Sequence, residues 1–251
     1  MLLSIVIPAR NEEDNLRKSV PEIVRTLTTH GIPYQMVVVD DGSTDRTAAV
    51  VRDYARTDSC IELVTNGSEH GYGLAVRAGL AAARGDAVAI VMADGSDSPD
   101  DLVTCYRTLL EGYDCVFGSR FIPGSVVRQY PRHKLVLNRL ANLFIQLLFG
   151  LRYNDTTNAF KCYRREVIAA MQPLISSHFN LTVEMPLKAV VRGFSYAVVP
   201  ICWRGRQIGA SSLRIREMGS RYLFIVLYLW LEKHLSRGDY HRDIVRVRAE
   251  R

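Results

Sequence analysis

The sequence predicts an α/β fold: a mostly parallel, doubly wound, Rossmann-like sheet with flanking helices, followed by a C-terminal amphipathic helix. Three observations predict it. Unbroken apolar runs such as "SIVIP" and "MVVVD" suit strands buried on both faces. Each run is followed by a polar or glycine-bearing turn and then by a segment with helical periodicity. The alternation recurs four times within about the first 115 residues, the pattern of parallel strands joined by helical crossovers.

Residues 3–8 read as the first strand. In the following "ARNEEDNLRKSVPEIVRTL", Asn11 is suited to cap a helix with an acidic first turn. Leu16, Val20, Ile23, Val24 and Leu27 share one face of it, and Pro21 predicts a kink or a break. "YQMVVVDDGSTDRTAAVVRDYA" gives a strand, an acidic glycine turn and a helix with Ala48, Val51 and Ala55 inward. "IELVTNGSEHGYGLAVRAGLAAARG" supplies a third unit with a glycine-rich turn, and "DAVAIVMADGSDSPDDLVTCYRTLLEG" a fourth with an acidic one. Ligands of such sheets sit beyond the carboxyl ends of the strands, where both acidic turns lie. Farther on, "KLVLNRLANLFIQLLFG" reads as an apolar helix with a polar stripe of Asn138, Asn142 and Gln146, suited to border a groove. From Glu217 the chain is apolar through "RYLFIVLYLWLEKHL" and then basic, with Arg237, Arg242, Arg246, Arg248 and Arg251.

With 251 residues, 48% of them apolar, the chain can bury a large core. A net charge of +6 points to an anionic partner such as phosphate, nucleic acid or acidic lipid. Its distribution is more informative. From Cys115 to Asn154 there is no acid, whereas Arg120, Arg128, Arg132, Lys134, Arg139 and Arg152 fall there, so the window is a candidate anion site. Five scattered cysteines without a Cys-x-x-Cys pair argue against a disulfide framework or zinc knuckle and fit a reducing compartment. No basic region precedes the first apolar stretch, and the longest later run, residues 222–231, is half of the roughly 20 residues a spanning helix needs. A transmembrane helix is not predicted.

Several short stretches carry chemistry. Asp40 and Asp41 at a strand end can accept hydrogen bonds from a base or ribose, or be solvated, while Asp45 suits a helix cap. Asp94, Ser96 and Asp97 offer oxygen ligands to a hard cation, Mg²⁺ or Mn²⁺, that shares its shell with phosphates. Asp97 or Ser98 also suits a cap before Pro99, with Asp100 and Asp101 favouring the helix end. Gly71-x-Gly73 lacks the third glycine of a dinucleotide fingerprint, since Val76 stands there; a nicotinamide cofactor is rejected, and close approach to a ligand or a plain tight turn both remain. Arg120, with Arg132 or Lys134, suits phosphate capture, and Arg206 suits either a clamp on a leaving diphosphate or a surface position beside a core tryptophan, Trp203.

In this order, "SIVIPARNEE", "VVVDDGSTD", "GYGLAVRAGLAAARGD", "VMADGSDSP", "GSRF", "DTTNAFKCYRR", "LTVEMPLK" and "PICWRGRQIGASS" resemble the family-2 glycosyltransferases, and especially the dolichyl-phosphate mannose synthases and related polyprenyl-phosphate sugar transferases. The resemblance implies a glycosyltransferase A type sheet, a Mg²⁺ or Mn²⁺ ion and inversion at the sugar carbon. It makes Pro8, Arg10, Glu12, Asp40 and Asp41 the nucleotide pocket, Asp94 the principal metal ligand with Ser96 and Asp97, and Arg120 and Lys134 the acceptor-phosphate cations. Arg206 would hold the donor diphosphate; Glu184 would position sugar or acceptor, or else pair with a buried cation. Met92 stands where the family's Asp-x-Asp has its first acid, and Ser211-Ser212 where it has Ser-Lys. The implied reaction moves a sugar, mannose favoured over glucose or GlcNAc, from a nucleotide sugar, GDP-mannose favoured over a UDP-sugar, to polyprenyl phosphate. Residues 1–213 would be the catalytic domain and residues 214–251 an apolar and basic helical segment, either on a membrane surface or packed on the core or a partner subunit, giving a cytoplasmic, peripheral enzyme with no nucleic-acid partner. Transfer to a polysaccharide or small hydroxyl acceptor, with Glu184 or Asp97 as base, is the second reading; a nucleotide-sugar binding module without turnover is the third.

Overall fold

Strand β1 (Leu3–Ala9) is buried along its whole length, which explains its unbroken apolar sequence: it lies inside a sheet covered on both faces. In the computed structural model, which describes residues 1–67, 69–205 and 215–242, β1 pairs in parallel with β2 (Tyr34–Asp40) and β4 (Ala87–Ile90), and β2 pairs in parallel with β3 (Ile61–Thr65). The seven-stranded order is β3-β2-β1-β4-β7-β5-β8, with β5 (Cys115–Ser119), β7 (Lys161–Arg164) and β8 (Tyr196–Pro200). β7 runs antiparallel to both neighbours, a strand the sequence reading did not anticipate.

Alternate residues of the strands feed two cores. Ile5, Ile7, Met36 and Val38 face α1 (Glu13–Thr29), α2 (Thr47–Thr57) and α4 (Pro99–Leu110). Val6, Val37, Val39 and Ile90 face α3 (Tyr72–Ala82), α6 (Arg165–Ala170) and α7 (Leu181–Val191). Leu16, Val20, Ile23 and Leu27 are buried on α1 as their spacing predicts, while Val24 is half-buried.

Two local expectations are corrected. Asn11 does not cap α1; it adopts a left-handed conformation (φ 55°), and its side-chain oxygen accepts from the Thr44 backbone N–H at 2.8 Å, pinning the turn after β2. Pro21 does not break α1. The Arg17 carbonyl, which the proline ring leaves without its helical donor, accepts the Tyr54 hydroxyl at 3.3 Å instead. Pro186 within α7 is accommodated in the same way, since the Thr182 carbonyl accepts from Lys161 Nζ at 3.1 Å.

A third cluster joins α5 (Arg132–Phe149), α7 and α8 (Ile215–Leu235) through Ile145, Phe149, Val183, Leu187, Ile225, Val226 and Leu229. The polar stripe of α5 does not border an open groove. It faces the protein: Asn142 is 2% exposed, donates to Asn138 and Thr157, and accepts from the Thr156 hydroxyl at 2.7 Å. The apolar face is the one turned outward, with Val136, Leu137, Leu140, Leu143, Phe144 and Leu147 exposed. α8 is helical as expected but not amphipathic, because Leu223, Phe224, Leu227 and Leu231 lie exposed opposite the buried Ile225, Val226 and Leu229. Among the described residues, no helix is long and apolar enough to cross a membrane.

Candidate active site

The parallel register aligns Ala9 with Asp40, so the carboxyl ends of β1 and β2 form one edge. Pro8, Arg10, Glu12, Asp40 and Asp41 all gather there, with only Arg10 exposed. Each acid is anchored. Asp40 Oδ1 accepts from the Ser43 N–H at 3.0 Å, setting the glycine turn at Gly42 (φ 74°). Asp41 accepts from the Asn66 side chain at 2.7 Å and the Gly71 N–H at 2.9 Å, with His70 Nδ1 at 3.5 Å. Glu12 accepts from Asn15, and its N–H donates to the Thr47 hydroxyl. Arg46, not Asp45, takes the cap position of α2, and Asp45 accepts from the first helical N–H, that of Thr47, at 2.9 Å: burial raises its pKa, but donors from Thr47 and Glu13 outweigh this and leave it below the ordinary range.

Gly71 and Gly73 permit close approach of another backbone segment. A Cβ at either would overlap the backbone of residues 176–177, and the Gly73 N–H donates to the Ser177 carbonyl at 3.0 Å. This segment is held in turn by Glu184, whose carboxylate accepts from the N–H groups of Ile175 (2.8 Å) and Ser176 (2.7 Å) and pairs with Lys188 at 2.8 Å, both side chains fully buried. Of the two readings left open for Glu184, the structure shows the pairing with a buried cation, through which it props a loop.

Beyond β4, Asp94 accepts from the Ser96 N–H at 3.1 Å across Gly95 (φ 66°), and Ser98 takes the cap position before Pro99. Asp97 is buried; one oxygen accepts from the Met92 N–H at 3.3 Å, and the other, Oδ1, has no partner. Burial, reinforced by nearby Asp94, pushes its pKa up to about 7. No cluster of three or more His, Cys, Asp or Glu side chains suited to a metal occurs among the described residues. Asp94, the Ser96 hydroxyl and the orphaned Asp97 oxygen nevertheless form a hard-oxygen set that fits a divalent ion drawing the rest of its shell from phosphate and water.

Facing this turn is a two-stranded parallel ladder of β6 (Val126–Arg128) and β9 (Cys202–Arg204). Between them lies a cleft of about 380 Å³ lined by Gly95, Ser96, Asp97, Arg128, Trp203 and Arg204, among others. Arg120 lies behind it and is not a free phosphate ligand. Its Nε and Nη2 donate to the two oxygens of Asp155 at 2.8 and 2.7 Å, with Asp155 fully buried. Burial alone would lower the Arg120 pKa, but Asp155 carries it above the ordinary value. The guanidinium is also ringed by Phe121, Tyr130 and Trp203 at 5.3 to 5.5 Å. Lys134 is half-buried in the first turn of α5 beside exposed Arg132, in a turn with no acid. Arg206 lies outside the described residues, as do Ser211 and Ser212.

Sequence reasoning missed Lys161. It is buried, and its Nζ donates to the carbonyls of Thr156, Asn158 and Thr182; burial depresses its pKa to about 7 despite Asp155. The available signal was Pro186, which frees the Thr182 carbonyl for a donor from elsewhere.

The family model described as glycosyl transferase family 2 matches residues 4–171. The chain belongs to this family. As a family-2 glycosyltransferase it is 34% identical over 223 residues to the polyprenol monophosphomannose synthase of Mycolicibacterium smegmatis, covering 85% of this chain and 82% of that protein. It is 30% identical over 203 residues to the undecaprenyl-phosphate 4-deoxy-4-formamido-L-arabinose transferase of Edwardsiella ictaluri, covering 76% of this chain and 60% of the relative. Among solved structures, glucosyl-3-phosphoglycerate synthase from Mycobacterium tuberculosis, in complex with Mn²⁺, UDP and phosphoglyceric acid, superposes with a TM-score of 0.69 at 19% identity, covering 92% of this chain and 78% of that one. That likeness establishes the glycosyltransferase A type fold of the enzyme.

Proposed function

We propose that this glycosyltransferase moves a hexosyl unit from a nucleotide sugar to a polyprenyl phosphate with inversion at the anomeric carbon. Mannose is the favoured sugar and GDP-mannose the favoured donor. The observation that carries the reading is the identity, extending over 85% of the chain, to a relative named for polyprenol monophosphomannose synthesis. The geometry is compatible: an acidic turn faces a basic, aromatic-lined wall across one cleft.

A polyprenyl phosphate is an anion at neutral pH and needs no strong base. One of its oxygens bonds to the anomeric carbon from the face opposite the nucleotide, the bond from that carbon to the diphosphate oxygen breaks, and its electron pair leaves with the nucleoside diphosphate. The chain's contribution is positioning and charge. Pro8, Arg10, Glu12, Asp40 and Asp41 hold the nucleoside, and Arg206 grips the diphosphate. A divalent cation, Mg²⁺ or Mn²⁺, held by Asp94, Ser96 and Asp97, supplies charge neutralisation when bound. Lys134 directs the acceptor phosphate at the N-terminal end of α5, where helix N–H groups favour an anion. Arg120, neutralised by Asp155, braces the aromatic wall formed by Tyr130 and Trp203. A hydroxyl acceptor would need a base, and Glu184 is fully engaged elsewhere.

Purified protein given GDP-mannose, a polyprenyl phosphate and Mn²⁺ should form lipid-extractable mannose, and Asp94→Ala should abolish it. Donor binding with neither transfer nor hydrolysis would favour the binding module; transfer to hydroxyl acceptors alone would favour the second enzyme reading.

The enzyme is further proposed to work at a membrane surface. The outward faces of α5 and α8 are apolar, α5 has no acid, and the one acid of residues 219–235, Glu232, is buried against Arg192 at 2.9 Å. Arg132, Lys134, Arg139 and Arg152 border these faces, a charge pattern suited to anionic headgroups. The full chain should float with phosphatidylglycerol vesicles, and Leu140→Gln/Leu147→Gln should reduce recovery; equal recovery would remove the surface from the account.

A further inference from the structure

The register of the β6–β9 ladder places Arg128 directly beside Arg204. Neighbouring strands lie about 4.8 Å apart and paired residues share a face, so two guanidinium groups leave the ladder together. Both are exposed, both line the cleft with Ser96 and Asp97, and neither forms an ion pair with any described residue. Like charges opposite one another destabilise a ladder, and this one is only three residues long on each strand.

The backbone nevertheless fixes it firmly. The Arg204 N–H donates to the Ser96 carbonyl at 3.0 Å, the Gly205 N–H to the Arg128 carbonyl at 2.9 Å, and the Cys202 N–H to the Asp101 carboxylate at 2.6 Å. Trp203 bridges to Asp97. The backbone from which the two cations project is therefore held at a set position relative to the turn that carries Asp94. Nearby acids do not neutralise them: Glu22 lines the cleft without an ion pair to either, Asp101 is engaged by Cys202, and Asp97 sits buried beside Asp94. Two guanidinium groups on one face of a ladder suit the oxygens of a phosphate monoester, the duty that Arg120, bound to Asp155, does not meet directly.

We propose that Arg128 and Arg204 add a pair of cations, in addition to Lys134, for the phosphomonoester of the incoming acceptor, an assignment that rests on the acceptor class proposed above. The test is calorimetric binding of geranyl phosphate, a short prenyl monophosphate, to the full chain and to Arg128→Gln, Arg204→Gln and the double variant, without turnover. The double variant should bind geranyl phosphate at least about tenfold more weakly, with each single variant intermediate. Its affinity for GDP with Mn²⁺ should stay within about twofold, and its melting temperature without phosphate should equal or exceed that of the parent, because a like-charge pair has been removed.

Unchanged geranyl phosphate binding in the double variant would overturn the proposal. So would loss of GDP binding alone, which would assign the pair to the donor, or loss of phosphatidylglycerol vesicle binding alone, which would assign it to the bilayer. A parent enzyme that transfers sugar to no prenyl phosphate would sink the acceptor reading, while the calorimetry still judges the pair.

Discussion

Replacing Asp155 by Asn should unsettle the centre of the molecule. The carboxylate accepts three hydrogen bonds from Arg120, from its backbone N–H at 2.9 Å, Nε at 2.8 Å and Nη2 at 2.7 Å, at a site with no solvent exposure. An amide keeps the shape but removes the charge, turns an NH₂ group toward a donor, and leaves a guanidinium buried without its counter-ion. Removing one partner of such a pair costs about 3–5 kcal/mol. For a chain of this size each kcal/mol lowers the melting temperature by about 2–4 °C, so a fall of about 6–20 °C is expected. Thermal scans and urea titrations should agree, the latter showing a lower midpoint with an unchanged slope. The companion variant Arg120→Met/Asp155→Leu should recover much of the loss, because it buries no uncompensated charge. A melting temperature within about 2 °C of the parent for Asp155→Asn, or no recovery in the double variant, would refute the reasoning.

Glu184→Gln should destabilise by about 3–5 kcal/mol through the stranded Lys188, read by urea unfolding; loss of turnover at unchanged stability would instead restore a catalytic role. Gly73→Ala should cost about 1–3 kcal/mol and weaken nucleotide binding, because the new methyl group displaces residues 176–177; unaltered nucleotide affinity would contradict that coupling. For Asp97, the folded pKa of about 7 lies above the unfolded 3.8, so its contribution to stability is whole below about pH 4 and is lost as pH rises through 7. Asp97→Asn in chelator should therefore gain at pH 8, by at most about 4 kcal/mol, and little at pH 4; a pH-independent difference would show that burial does not govern this group.

The amino-terminal half was legible because its information is local. Period-two and period-3.6 patterns and turn residues recur at short range, and β1, β2, β3 and β4 with their helices follow from them. The carboxyl edge of β1 and β2 and the acidic turn after β4 were legible for the same reason, since each sits at a strand end. What escaped depends on distant partners. The acid-free window that marked Arg120 as a phosphate cation ends at Asn154, and the residue that engages Arg120 is the very next one. β7 escaped because "KCYR" is short and begins with a lysine whose burial is made tolerable by two carbonyls of the preceding loop and one from α7. The outward apolar face of α5 escaped because periodicity reveals that a stripe exists without saying which side meets the core. Here hydrogen bonds from Asn138 and Asn142 to Thr157 draw the polar side inward.

The prop beneath α3 has a consequence for biosynthesis. The corner of the proposed nucleotide edge at Asp41 and Gly71 leans on residues 176–177, which in turn hang from Glu184. A ribosome that has released only the first four strand-helix units has therefore made a sheet in which this corner is still missing its buttress. Nascent chains stalled before residue 184 should fail to retain immobilised nucleotide, and ligand capture should appear only once α7 has emerged from the exit tunnel.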